Sequence, residues 1–462
     1  MERKRISVFV TVWAFLLCGC GKEFLDIKRN SDQVVPNSVK DYLALVSRDI
    51  MLETSNLLAF IGADEYYIKS SEDLIAGSQY NLYHKNAYIW ADDVYENERT
   101  LREWNIAYEK IMYANLALDI EKTDPIEEEK DDFNRTRIAA LFHRAWNYYQ
   151  LSQLFCKVYA PENAEYELGL PLRLDYDVSV KYGRSTVKEV YSQILADLQE
   201  AEKIPLTDDR NIYLPGKLAV QALLARVYLQ MGNYEVSEEY ASKVLDEVNT
   251  LVDYNDLDFS SVTEFSNSFN FFGADNPAII FYSHKVADGI LLETLANADT
   301  TFVRSMAEDD LRKQAYFFHR EDGSDLYSGS YAGYGGIYFF TGLSVEETLL
   351  TRAECRARLH REEEALSDLH HLQKRRYTGE RQVVDDDHIL LERILEERQK
   401  ELFMRGIRWE DVRRLNREGT TQQVFRRILD GVEYNLSLGS EKWVWPIPSD
   451  EVDSNKIQQN ER

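Results

Sequence analysis

Cysteine is nearly absent from this chain. Its 462 residues hold 4, and two of them, Cys18 and Cys20, fall within the first twenty positions. Cys156 and Cys355 remain, far apart in sequence and each inside a helical pattern. They make no disulfide framework, and buried free thiols are expected. Long apolar runs are also missing: beyond the N-terminus no segment approaches the ~20 residues that cross a bilayer as a helix. Positive charge is in deficit, with 54 Lys and Arg against 80 Asp and Glu and a formal net charge of −26. That balance repels a nucleic-acid backbone and does not suit attachment to anionic lipid by charge. Catalytic signatures are missing too. There is no Gly-x-Ser-x-Gly elbow, no His-Glu-x-x-His, no Walker loop and no dinucleotide fingerprint. The glycine-rich stretch 329–336 lacks the lysine and following helix of a phosphate cradle. His370 and His371 are adjacent, hence on different helix faces, and no cysteine sits near enough for a zinc cluster. With 80 carboxylates a glycosidase-like pair is available by chance and carries no weight. No catalytic residue, metal ligand or cofactor is assigned, and no enzyme activity is expected.

What is present starts with an address. Arg3-Lys4-Arg5 precedes an apolar segment, 6–17, too short to span a bilayer. Leu17-Cys18-Gly19-Cys20 then reads as a bacterial lipobox. Cys20, preceded by the small Gly19, is the expected lipid acceptor, which makes 1–19 a signal peptide. Several acyl chains on one cysteine would anchor the protein stably.

The body reads as mainly α. Apolar residues fall at helical spacing from Asp41 to Phe60, and the acidic pair Asp64-Glu65 follows in a loop. The segment to Glu98 is aromatic and irregular. Trp104, Tyr108, Ile111, Asn115 and Leu118 mark one helix, and Ile138, Leu141, Ala145, Tyr148 and Leu151 its partner. Thr186 and Glu189 make a capping box ahead of the stripe Val190, Ile194, Leu198 and Ala201. Ala225 to Tyr234, then Tyr240-Ala241, reads as a tetratricopeptide-like helix–turn–helix turning at Gly232. Ala353 to Glu362, then Ala365-Leu366, is a second copy with His360 at the glycine position. Between the copies, residues 253–342 lose periodicity. They contain a possible short strand, Ala278 to Tyr282, and a glycine–tyrosine loop, Tyr327 to Tyr338. Near the C-terminus, Leu391, Leu395, Leu402, Phe403, Ile407 and Trp409 recur at the spacing of one helix face, ended by Gly406, a position suited to a left-handed cap, and a second helix follows with Val412 and Leu415 inward. The charges of that hairpin read as a solvated, self-paired surface with Glu401 and Arg405 at i,i+4 spacing.

Aromatic residues make up 12% of the chain, including 29 tyrosines, and many lie outside helical stripes. Flat rings with a polar edge match both the C–H faces and the hydroxyls of sugars. Trp90 with Tyr88 and Asn86 is the preferred ligand-binding constellation, with Tyr331 and Tyr334 in the glycine-flanked loop as a second. Trp104, Trp146 and Trp409 sit on helical faces and are expected in the core.

The C-terminal hairpin carries a resemblance. Glu397-Arg398, Glu401-Leu402, Gly406, Arg408-Trp409, Asp411-Val412 and Arg414 closely resemble the C-terminal motif of the SusD/RagB family, surface lipoproteins of glycan- and peptide-uptake systems. A glutamate is common before that glycine, where this chain has Arg405. Trp104 to Asn115, Arg144 to Tyr148, Gly169 to Leu172, Arg184 to Ala201, Tyr228 to Ala241, Leu350 to Leu359, Trp445 to Pro448 and Gln459-Asn460 extend the resemblance over nearly all of the chain after the lipobox. It implies a mainly α fold: a tetratricopeptide-like helical-hairpin scaffold of four pairs, with irregular loop-rich insertions and few short strands. It implies one SusD-like domain, 20–462. Within it lie an N-terminal helix and aromatic loops (20–100), a helical repeat region (101–252), a loop-rich insertion (253–342) and a C-terminal helical repeat and tail (343–462). It also implies that the aromatic segment after Asp64-Glu65 contributes to the ligand surface. The function implied is capture of oligosaccharides outside the cell and delivery to a SusC-like TonB-dependent transporter of the outer membrane. A RagB-like peptide binder and a tetratricopeptide-like assembly scaffold are the alternatives.

Overall fold

In a computed structural model of the protein the helical stripes become a stack of antiparallel helices. Helix α1 (Val39–Val46) packs on α2 (Arg102–Leu118) and α3 (Lys130–Phe155). Helix α3 is buried on all sides from Ile138 to Phe155, so it is the central element and shows no amphipathic stripe. Alanines let it approach its neighbours closely: Ala139 and Ala140 meet Ala114 and Ala117 of α2. The stack continues through α4 (Val187–Lys203), α5 (Lys217–Met231), α6 (Tyr234–Glu247), α7 (Val345–Arg358) and α8 (Glu362–Gln373), with α9 (Asp387–Glu401) against α7 and α8. Helix α10 (Arg408–Glu418) follows. The described residues are 36–207, 211–263, 266, 269, 275–333, 337–379 and 387–462, and Val39–Arg462 forms one compact unit. Cys20, the expected signal peptide and Tyr334 lie outside the described residues.

Local chemistry explains the ends. The Thr186 hydroxyl accepts from the Glu189 amide at 3.2 Å, and the Glu189 carboxylate accepts from the Thr186 amide at 2.7 Å, so the capping box of α4 forms as expected. Gly232 closes α5 in the left-handed region (φ +75°), and the Asn233 side chain caps α6. At the matching turn of the second copy His360 adopts φ +57°. The turn forms without glycine, at a cost of about 1–2 kcal/mol for a left-handed L-residue. One expectation fails locally: Asp41 to Phe60 is not a continuous helix but α1, a 3₁₀ turn at Asp49–Leu52 and a short helix at Leu57–Gly62.

The insertion supplies short antiparallel strands. Strand β1 (Ile279–Phe281) is followed by β2 (His284–Val286), β3 (Tyr338–Phe340) and β4 (Leu343–Ser344); β2 pairs with β3 and β1 with β4. Strands β5 (Phe425–Leu429) and β6 (Val432–Leu436) form a C-terminal hairpin.

The charges of the C-terminal helices contradict the solvated surface read from their spacing. Glu397, Arg398, Glu401, Arg405, Asp411 and Arg414 are all buried. Glu401 does not pair with Arg405; it accepts from Arg376 at 2.9 Å and Arg312 at 3.2 Å. Arg398 and Arg414 both reach Asp411, and Arg414 also holds Glu354. Every one of these carboxylates meets a guanidinium, the condition on which buried charge is tolerated. Arg405 lies over the rings of Tyr331 (4.6 Å) and Phe340 (5.3 Å) and donates to the Ser344 hydroxyl at 2.9 Å.

Candidate functional site

Trp90, Tyr88 and Tyr331, singled out by sequence, do not form a surface. Trp90 is 1% exposed; its Nε1–H donates to the Gly62 carbonyl at 3.1 Å. Tyr88 is buried beside it, its hydroxyl accepting from the Ile68 amide at 2.9 Å. Both wrap the guanidinium of Arg427, which lies 3.8 Å from the Tyr88 ring centre and 4.6 Å from that of Trp90. Asn86, also buried, donates to the Val94 carbonyl and the Glu96 carboxylate. Tyr331 is 1% exposed, donates to Glu346 at 2.9 Å and lies 3.0 Å from the Tyr254 hydroxyl. The expected exposure of Trp90, Tyr88, Asn86 and Tyr331 is therefore corrected: each packs around a buried arginine or into a hydrogen-bonded cluster. Asp64 and Glu65 also turn inward. Arg408 donates to Asp64 at 2.8 and 2.9 Å, and Glu65 accepts from the Met404 amide at 2.7 Å. Trp104, Trp146 and Trp409 are in the core as expected.

A different set of rings reaches the surface. Strand β2 alternates: Ser283 and Lys285 are buried, while Tyr282 and His284 are half-exposed and Val286 exposed. The pleat puts these three on one face, and pairing with β3 sets Tyr338 opposite Val286. The Ile212 carbonyl accepts from the Tyr282 amide at 2.8 Å, which brings Tyr213, 41% exposed, to the end of the row. Ring centres run Tyr213–Tyr282 5.3 Å, Tyr282–His284 5.6 Å and His284–Tyr338 5.5 Å. At its flank Glu53 bridges the backbone of His284, accepts from Arg102 at 3.0 Å and lies 3.4 Å from Lys285.

The row is electrically quiet. Burial, with help from Tyr213 and Tyr338, pushes the Tyr282 phenol up to about 12. Burial also pushes the His284 imidazole down, outweighing the pull of Glu53. Both shifts favour the neutral forms of Tyr282 and His284 at neutral pH. Flat rings with polar edges are of the kind that suits the C–H faces and hydroxyls of sugars. No hydropathy alternation marks it in sequence: the inward positions are Phe281, Ser283 and Lys285 and the outward ones Tyr282, His284 and Val286. Among the described residues no helix is long and apolar enough to cross a membrane.

Two family models match the sequence. One, described as starch-binding and associating with the outer membrane, matches residues 23–229; the other, the SusD family, matches residues 345–461. A relative in Formosa agariphila, SusD-like protein P2, is 29% identical over 143 residues, which span 31% of this chain and 26% of that relative. A solved SusD superfamily protein of Bacteroides thetaiotaomicron superposes with a TM-score of 0.70 at 20% identity, over 92% of this chain and 100% of the other. A SusD-like carbohydrate-binding protein of Bacteroides vulgatus gives 0.65 at 17% identity, over 91% and 97%. At these identities the structural likeness establishes the fold.

Proposed function

The chain belongs to the SusD/RagB family, and from that membership we propose that it captures oligosaccharides at the cell surface and hands them to a SusC-like TonB-dependent transporter. Proteins of this family are nutrient-binding proteins associated with the outer membrane, not enzymes. The lipid on Cys20 would hold this one to the membrane. The observation that carries the reading is the partly exposed row Tyr213–Tyr282–His284–Tyr338 beside and along the β2–β3 ribbon, a platform for sugar rings that the core does not use up.

The test is titration calorimetry with a neutral oligosaccharide that the wild type binds on a glycan array. Each stacked ring contributes roughly 0.5–1.5 kcal/mol, so Tyr282→Ala/Tyr338→Ala is expected to weaken binding about tenfold or more with folding intact. The bound glycan is expected to return uncleaved after prolonged incubation. Wild-type affinity in the double variant would move the site off this ribbon. Shorter products from pure protein would overturn the non-enzymatic reading, and binding of peptides alone would favour the RagB-like alternative.

A further inference from the structure

A cleft between α2 and the loop 173–180 shares no residue with the aromatic row. It measures about 250 Å³, below the roughly 300–1,000 Å³ of small-molecule sites and the size of one long side chain. Helix α2 walls it with Trp104, Tyr108 and Met112, and the loop closes it with Tyr176, Val178 and Val180.

The loop is apolar where it meets water. Leu174, Tyr176, Val178 and Val180 are all exposed, Val178 at 85%. Seven consecutive positions thus hold four of the sixteen exposed large apolar side chains among the described residues. The polar residues between them tie the loop down. Asp175 accepts from the Asp177 amide at 2.7 Å and the Tyr182 hydroxyl at 3.1 Å. Asp177 accepts from the Ser179 amide at 2.9 Å and its hydroxyl at 2.6 Å. Asn115 of α2 donates to the carbonyls of Arg173 and Asp175 at 3.0 and 2.9 Å, and the Tyr176 hydroxyl donates to Asp119 at 2.8 Å. A contiguous exposed apolar row marks a contact surface, and on a loop already held in place docking orders little further.

The charge of the cleft selects what enters it. Arg173 is committed to Glu451 at 2.5 Å and to the Tyr108 ring at 4.6 Å. Glu109, Asp175 and Asp177 also line the cleft, and their partners are neutral: the Tyr113 hydroxyl donates to Glu109 at 2.9 Å, and the two aspartates hold the loop groups above. Arg48 lies over the Tyr113 ring at 4.5 Å and makes no ion pair with Glu109. In a chain of net charge −26 carboxylates alone mark nothing. Beside aliphatic surface and the exposed Tyr176 ring they complement a guanidinium, which pairs with carboxylates and stacks on rings.

We infer that this cleft is a docking surface for a partner protein, entered by an arginine whose aliphatic neighbours cover Leu174 and Val178. The aliphatic rim favours a protein over a cationic sugar, whose hydroxyls would meet it without hydrogen-bond partners.

The experiment follows fluorescence anisotropy of an end-labelled peptide, Ser-Val-Leu-Arg-Leu-Val-Ser, titrated with the protein at low salt, and of its counterpart with glutamine for arginine. Two exposed charge contacts are expected to make the arginine peptide bind about threefold or more tighter. Asp177→Asn/Glu109→Gln keeps acceptors for Ser179 and Tyr113. It is expected to erase that preference while leaving the glutamine peptide's affinity and the melting temperature unchanged. Val178→Ser is expected to weaken both peptides, and Tyr282→Ala/Tyr338→Ala to affect neither, which separates this surface from the aromatic row. No binding of the arginine peptide, equal affinity for the two peptides, a preference that survives Asp177→Asn/Glu109→Gln, or tighter binding of chitosan trisaccharide would overturn the assignment.

Discussion

Replacing Arg414 with alanine tests whether the charges of the C-terminal helices are held dry and paired. The guanidinium is 0% exposed and donates to Glu354 at 2.6 and 2.7 Å and to Asp411 at 2.9 Å. Alanine would leave Glu354 with only Arg358, at 2.9 Å, and Asp411 with only Arg398, at 2.7 Å. Removing one member of a buried pair costs about 3–5 kcal/mol, because the other charge stays buried. The electrostatics of Glu354 give a similar figure. Burial alone would raise its pKa, but Arg414, then Arg358 and Arg398, outweigh it and hold the carboxyl down from 4.5 to about 2. A depression of that size is worth about 3 kcal/mol. Because the folded pKa lies below the unfolded one, this stability is fully present above about 4.5 and is lost as pH falls towards about 2. Denaturant unfolding near neutral pH is the assay. The variant is expected to lose about 3–5 kcal/mol, a large share of the roughly 5–15 kcal/mol that stabilises a typical domain. The gap should narrow as pH falls through that window. Lys243→Ala, which breaks the exposed Lys243–Glu239 pair at 2.9 Å, should cost less than about 1 kcal/mol. If Arg414→Ala matched that control, the paired, buried network would be refuted.

Three further outcomes are expected. Gly406→Ala puts a Cβ 2.6 Å from Phe60 Cε2 and 2.8 Å from Asn56 Nδ2 at φ +75°; thermal melting should show a loss beyond the about 1–2 kcal/mol of the left-handed backbone, and an unchanged midpoint would contradict it. Burial pushes Glu65 up to about 8, against the Met404 amide and Arg408 and with help from Asp64 and Asp411. A folded pKa above the unfolded one makes wild-type stability fall as pH rises from about 4.5 to about 8, so Glu65→Gln should gain on wild type across that range; parallel stability curves would refute it. Cys20→Ala should abolish acylation and partitioning with the outer membrane, and mass spectrometry of native protein lacking an acyl group at Cys20 would remove the anchor.

The capping box of α4, the turn at Gly232 and the family were legible from residue order because their causes are local, whereas the helical run read over Asp41 to Phe60 breaks into three pieces and the helix read as ended by Gly406 stops at Glu401. The capping box at Thr186 needs only Glu189 three positions on. The turn at Gly232 needs only a left-handed residue between two stripes, and even His360 supplies one where the flanking helices demand it. The core tryptophans Trp104, Trp146 and Trp409 followed from helical periodicity alone. The fate of the loop aromatics was not legible, because an irregular segment acquires an inside and an outside only from distant partners. Trp90 and Tyr88 are buried because β5 brings Arg427 between them, and Tyr331 because Arg405 lies on its face. The hairpin charges look solvated in a linear reading, and only the tertiary fold, with α7 packed on α9, delivers Glu354 of α7 to Arg414 of α10. Sequence alone thus determined the helical scaffold and its kinship, through interactions spanning a few residues. Tertiary structure decided which rings face water: the ribbon of β2 and β3 and the contact of Tyr282 with Ile212 join segments whose spacing along the chain carries no periodic signal.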